Sequence, residues 1–300
     1  DDGSTDKTPR IVEQFAKRDN RVRLYKNAAN GGVSSARNEG LTHVKSEYFT
    51  FVDGDDIVSP DYLLRLVEAA KKSDYSSDVV CAQISHVWSA GSVSKKNDIR
   101  PSSHSKVIDS VEAIERLLYD RGIKNHVASK LFSSRLISKV KFNEAISIGE
   151  DMDYVYRSLK IARNVSVIQE VIYYYYVQRE GSAMNSQFSS KRADAYRVAK
   201  NMYAQLSLSE REKRAIATKL FTESLSVMMA ARNERVEYVA IFNECRDTAK
   251  NLAYGVATNR KTRLRQRLYA VLSLFSIDAV IGVAAIKIRI VKYISKRGRP

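Results

Sequence analysis

The sequence predicts an α/β domain built on a parallel sheet, followed by an all-helical extension. Three observations carry this. Short apolar runs alternate with helix-period segments over the first half of the chain. An acidic cluster directly follows the apolar run 48–52. Beyond residue 189 strand signals cease and only long amphipathic patterns remain.

Each element has its own signal. Residues 8–19 have helical spacing, with Ile11, Val12, Phe15 and Ala16 on one face and Pro9 suited to the first turn. Residues 22–26 read as a short strand, 33–44 as a helix entered through Gly31-Gly32, and 48–52 as an apolar strand. Ser59-Pro60-Asp61 is a helix start, and the helix it opens turns Leu63, Leu66, Val67 and Ala70 inward. Residues 78–87 form another strand, 90–106 a Ser/Lys/Asn-rich loop, and 109–121 a helix. Gly149-Glu150-Asp151 opens a helix burying Met152, Val155, Tyr156 and Leu159; strands 165–168 and 171–177 follow, closed by a turn at Gly181-Ser182. Helices then fill 189–206, 210–231 and 236–254. Trp88 and the tyrosines at 173–176 read as core.

Composition removes several function classes. Of 300 residues, 44% are apolar and 28% charged, an ordinary globular balance. Cys81 and Cys245 are too far apart for a disulfide framework and suit a reducing cytosol. His43, His86, His104 and His126 lack the paired spacing of a zinc site. No secretory signal opens the chain; it begins on the turn Asp1-Asp2-Gly3-Ser4-Thr5-Asp6, so we expect a strand-helix-strand upstream.

Three segments carry chemistry. Asp53-Gly54-Asp55-Asp56 stands at the carboxyl end of a predicted strand, where open α/β sheets bind ligands. Two acids flanking a glycine can share one hard divalent cation, Mn²⁺ or Mg²⁺, with substrate phosphates completing the shell. The alternative is a polar surface loop capping the next helix, and the strand before the loop favours the functional reading. The opening turn is by itself a capped turn, and Asn30-Gly31-Gly32-Val33-Ser34-Ser35-Ala36-Arg37-Asn38 by itself a tight helix start.

Together the three segments resemble the family 2 glycosyltransferases of GT-A fold: a DDGSTD turn, an N-x-G-x-S-x-A-R-N segment and a D-x-D-D-x-x-x-P motif, here Asp1–Asp6, Asn30–Asn38 and Asp53–Pro60 in the family's order. The resemblance continues at Lys130-Leu131-Phe132, Gly149-Glu150-Asp151 and Arg179-Glu180-Gly181-Ser182. It implies a GT-A domain over 1–188, lacking its first strand-helix-strand, and a helical extension over 189–300. It further implies that Asp2 contacts the donor base and Asp53 the ribose or metal, while Asp55 coordinates the metal. Lys130 and Arg179 would face the leaving diphosphate. Asp151 would be the base that deprotonates the acceptor hydroxyl in an inverting transfer from a nucleotide-diphosphate sugar, UDP-linked in the usual case, to a saccharide or lipid-linked acceptor of bacterial surface glycan. Val177 stands where many relatives have a second arginine, and Ser129 where they often have asparagine. Arg37 and Asn38 read as packing or supporting residues.

Net charge is +16, of which residues 260–300 hold eleven basic side chains against Asp278 alone. This tail points to an anionic surface, either lipid headgroups or nucleic acid, and in the glycosyltransferase reading to the cytoplasmic face of the membrane. Residues 268–286 approach a spanning length, but Asp278 at the midpoint costs ~2.5–3.5 kcal/mol in a bilayer. A break at Ile277-Asp278 and the stripe Ile286, Ile290, Ile294 favour a helix lying in the headgroup plane, ahead of a helix packed on the domain with a solvated basic face, and a span last. Two other classes compete. A nucleotidyltransferase would need a glycine-rich, lysine-bearing signature that is not seen. A nucleic-acid-binding protein would need aromatics interleaved with base, and here the basic excess is confined to the tail.

Overall fold

The helices and the longer strands appear where the sequence periods place them, and pairing between distant strands adds what periodicity does not contain. The computed structural model describes residues 1–72, 76–87, 105–177, 190–231 and 238–283. The chain divides into two compact units, residues 1–110 with 124–178 and residues 111–123 with 179–300. The helical unit thus also takes the segment 111–123, which lies inside the expected 1–188 domain.

In chain order the first unit contains α1 (Thr8–Ala16), α2 (Val33–Thr42), β1 (Tyr48–Thr50), β2 (Ile57–Val58), α3 (Tyr62–Lys71), β3 (Val79–Val87) and β4 (Ser105–Ile108). After α4 (Ser110–Leu118), which all but its first residue assigns to the second unit, come β5 (Lys130–Ser133), α5 (Glu150–Ile161) and β6 (Val165–Tyr176). The sheet runs β1-β5-β3-β6-β2, with β4 also on β6.

The α/β class holds, and the sheet within it is mixed where a mostly parallel one was expected: among its described strand pairs only β3–β6 is parallel. The cause is β5, which inserts antiparallel between β1 and β3 with Phe49 opposite Phe132 and Cys81 opposite Lys130. Alternation of helix and strand predicts parallel neighbours only when each strand returns through a crossover. Strands of two to four residues such as β2, β4 and β5 carry too little period to be seen in sequence. The strand expected at 22–26 is not one: Tyr25 accepts from the Asp1 amino group at 2.7 Å and Asn27 N donates to Asp1 O at 2.9 Å, and these two bonds to one residue are no ladder.

Packing fixes which helix faces count. In α3 the inward stripe is Tyr62, Leu66, Ala69 and Ala70, set against Val80, Leu131, Ile168 and Tyr173. Leu63, expected inward, is exposed, because the helix begins at Tyr62 and the i, i+4, i+7, i+8 row points at the sheet. Full burial of Leu66 contributes about 1.5–3 kcal/mol. In α5 the expected Met152, Val155, Tyr156 and Leu159 are all buried. The apolar stripe of α1 is uncovered, with Ile11 and Phe15 exposed.

The second unit joins α4 to α6 (Asp194–Tyr203), α7 (Glu210–Ala230), α8 (Val239–Thr258) and α9 (Leu264–Phe275). A capping box starts α7: Glu212 N donates to Ser209 Oγ at 3.3 Å, and Ser209 N donates to Glu212 Oε2 at 2.9 Å. Its core gathers Tyr196, Phe221, Met228, Phe242, Cys245 and Ala270. The expected tail break falls at Ser276, whose Oγ accepts from Ala279 N at 3.3 Å and caps the turn that follows. Ile277, Val280 and Ile281 then enter the core. Among the described residues no helix is long and apolar enough to cross a membrane. The stripe at 286–294 and most of the 90–106 loop lie outside the described residues.

Candidate active site

The acidic loop is held by its last member. Asp56 accepts from the Tyr173 hydroxyl at 2.7 Å and from Tyr176 N at 3.0 Å, tying the loop to β6. Asp53 N donates to the same Tyr173 oxygen at 3.1 Å. Burial, with Asp53 and Asp56 beside it, pushes the Tyr173 phenol far above its usual range, so it stays a neutral donor. Asp56 is thereby held by backbone and phenol, while Asp55 is exposed and Asp53 half-exposed.

Asp2 acts as a clamp on the glycine loop. Its Oδ1 accepts from Asn27 Nδ2 at 2.8 Å and Gly31 N at 3.0 Å, and its Oδ2 accepts from Gly32 N at 2.6 Å. The Gly31 N–H first, and then the Asn27 amide, hold the carboxyl below the ordinary range. Gly32 sits at φ 84°, a conformation L side chains rarely adopt, and it opens α2.

That helix delivers Arg37, which gathers the acids. Its guanidinium meets Asp151 Oδ1 at 2.7 Å, Asp53 Oδ1 at 3.3 Å and Glu150 Oε1 at 3.4 Å. Only 12% of the side chain is exposed, and its Cζ lies 5.3 Å from the Phe142 ring centre. The next residue locks that floor: Asn38 Nδ2 donates to Phe142 O at 3.0 Å and to Glu144 at 2.8 Å, while Phe142 N donates to Asn38 Oδ1 at 2.8 Å. The supporting role expected of Arg37 and Asn38 is thus a specific one. Three carboxylates drawn from two separate motifs need a shared countercharge, and that need was the signal in the sequence.

Asp151 lies in the first turn of α5, where the helix end favours negative charge; Gly149 at φ 96° makes the turn possible. Its Oδ2 accepts from Val127 N at 3.1 Å. Both oxygens are therefore oriented, each with a lone pair to spare for a proton. Neighbouring Glu150 is raised by burial and then by the Asp151 charge, which shifts it towards its protonated form.

Lys130 is fully buried, and its ammonium donates to the His126 carbonyl. Burial lowers it, opposed by Cys81 and Asp151. The diphosphate contact expected of Lys130 thus finds no open ammonium here. Ser129 before it takes φ 60°, a left-handed conformation that asparagine adopts more readily, and its Oγ donates to Ala82 O at 3.2 Å. Burial also lowers His126, favouring the neutral ring. Arg179 lies outside the described residues. The structure brings Asp53 and Asp151 together through Arg37 and places Asp2 on the adjoining loop.

The arrangement expected from the GT-A resemblance, with an acidic loop at a strand end, an acid-led helix and a helical extension, is present, and comparison with known proteins supports that fold. Residues 1–142 match the family model for glycosyl transferase family 2. Glycosyltransferase GlyA of Streptococcus pneumoniae is 29% identical over 185 residues, 60% of this chain and 26% of the relative. The uncharacterized glycosyltransferase EpsJ of Bacillus subtilis is 31% identical over 58% of this chain and 50% of its own. The chain thus spans from about a quarter to half of these relatives' length. A solved structure of Staphylococcus aureus TarS 1–349 with UDP-GlcNAc superposes with a TM-score of 0.63 at 19% identity, covering 94% of this chain and 78% of that one.

Proposed function

We propose that this protein transfers a sugar, with inversion, from a nucleotide-diphosphate donor to a saccharide or lipid-linked acceptor in bacterial surface-glycan assembly. One observation carries the reading: Arg37 ties the loop Asp53-Gly54-Asp55 to Asp151 at the helix start. Such transfer passes through an oxocarbenium-like state in which charge builds on the departing diphosphate while the attacking hydroxyl loses a proton. Asp151, anchored on Val127 N and Arg37, takes that proton. The TarS structures with UDP-GlcNAc and UDP support a UDP-linked donor as the first to try.

The donor set fits a divalent cation that substrate phosphates help to hold. Asp53 and Asp55 offer hard oxygens on either side of Gly54, and no larger acidic or histidine cage exists among the described residues. Bound there, Mn²⁺ or Mg²⁺ would offset charge on the diphosphate. Asp55→Ala is expected to abolish Mn²⁺-dependent UDP binding measured by calorimetry. Unchanged metal-linked affinity would remove Asp55 from the site.

The chain also meets an anionic membrane surface in this reading. Leu264, Leu268, Leu274 and Phe275 of α9 are exposed together, beside the basic C-terminal segment. Sedimentation with phosphatidylglycerol vesicles should show binding that weakens with salt and again in Phe275→Asp. Indifference to both would refute it.

A further inference from the structure

The helical unit contains a cavity of about 490 Å³ that plays no part in the chemistry above. Its walls come from the end of α4, the start of α7 and the turn between α8 and α9. Four basic side chains line it, Arg211, Arg214, Arg260 and Lys261, against two acids, Glu115 and Glu210.

Two of the cations are fixed in place. Glu115, with only 8% of its side chain exposed, accepts from Arg211 and from Lys261, the latter at 2.6 Å. These contacts outweigh burial and hold the Glu115 carboxyl below its usual range, so its charge is spent on them. The turn that carries Arg260 is equally built: Asn259 Nδ2 donates to the buried Tyr119 hydroxyl at 2.8 Å, and Asn259 Oδ1 accepts from Lys261 N at 3.1 Å. Arg214 stands one helical turn beyond Arg211 on α7. Among the described residues neither Arg214 nor Arg260 is ion-paired to a carboxylate, and both are exposed. A second cavity, of about 230 Å³, shares Arg214 and Glu210 with the first and adds Lys213.

A carboxylate buried to orient two cations, next to two more that form no ion pair among the described residues, is an arrangement that recognises an anion with several oxygens. Guanidinium forks match phosphate oxygens in pairs. The volume exceeds that of a lone inorganic ion and falls in the range of small-molecule sites. We propose that this cavity binds a phosphate-bearing group, supplied either by a soluble phosphodiester or by the headgroup of an anionic lipid. The site is independent of the donor-binding reading, because no residue of Asp2, Asp53, Asp55 or Asp151 lines it.

The test uses the full chain with two probes, bis-glycerol phosphodiester in calorimetry and phosphatidylglycerol vesicles in sedimentation, each against Arg214→Ala and Arg260→Ala. Neither arginine carries an ion pair among the described residues, so both variants should melt like the parent. Phosphodiester binding that weakens roughly tenfold in each variant, the size of one lost charge-assisted contact, assigns the site to a soluble source. Vesicle binding that falls likewise, without phosphodiester binding, assigns it to a headgroup; Phe275→Asp then separates this loss from α9 insertion, since an α9 defect leaves the arginine effect intact. Binding equal in parent and both variants, or none with either probe, overturns the proposal. Asp151→Asn should leave all of these affinities unchanged.

Discussion

Asp151→Asn is expected to lower turnover by about 10²–10⁴-fold, the range for loss of a general base. Donor affinity, read by UDP calorimetry, should hold, because Arg37 keeps Asp53 and Glu150 as partners when Asp151 loses its charge. The amide keeps the shape and can still accept from Val127 N, so the fold of α5 should survive. Glu150→Gln should cost less: its carboxyl is shifted towards the neutral form, and it touches Arg37 at 3.4 Å against 2.7 Å for Asp151. A Glu150 variant more damaged than Asp151→Asn would move the base. Near-normal turnover in Asp151→Asn would leave this segment only a capping role.

The largest expected loss of stability comes from Asp78, at the entry to β3. Its side chain is 1% exposed and accepts from Arg163 N at 2.7 Å, from Arg163 Nη2 at 3.1 Å and from the Arg135 guanidinium. One carboxylate thereby joins the turn after β5, the turn before β6 and the start of β3. Removing one partner of a buried pair costs about 3–5 kcal/mol; Asp78→Ala should fall near the lower end, because Arg163 is largely exposed and regains water. Urea unfolding at pH 7 measures it. Burial opposes the charged form, yet the two guanidiniums and the Arg163 N–H hold the Asp78 carboxyl far below the ordinary range. A depressed folded pKa means the contribution is full above the unfolded value, about 3.9, and is lost as pH falls below it. The gap between parent and variant should therefore be constant from pH 5 to 7 and shrink below pH 4. A gap that does not change on acidification would show that packing, not charge, is what Asp78 supplies.

Both predictions rest on residues with different legibility. Asp151 is visible in the sequence because a glycine, two acids and an apolar helical row mark a helix start, and the family resemblance gives that start a role. Asp78 reads only as the first residue of a strand; its partners lie 57 and 85 residues away, and no local pattern announces such a pairing.

The sequence by itself determined the α/β class, the helical extension, the family resemblance and the acid-bearing segments, because periods of two and 3.6, caps and short motifs are local properties. It also separated the basic C-terminal segment from the chemistry. What the tertiary structure decided was the use of each charge. Arg37 became the hub of three acids, Asp56 a tether for β6 and Asp2 a clamp on Gly31 and Gly32, whereas Lys130 was sealed against His126. The mixed sheet was decided there as well, since β5 slips antiparallel between β1 and β3. Pairing and countercharge depend on which distant segments meet, and burial makes their cost large; neither can be read along the chain until folding brings the partners together.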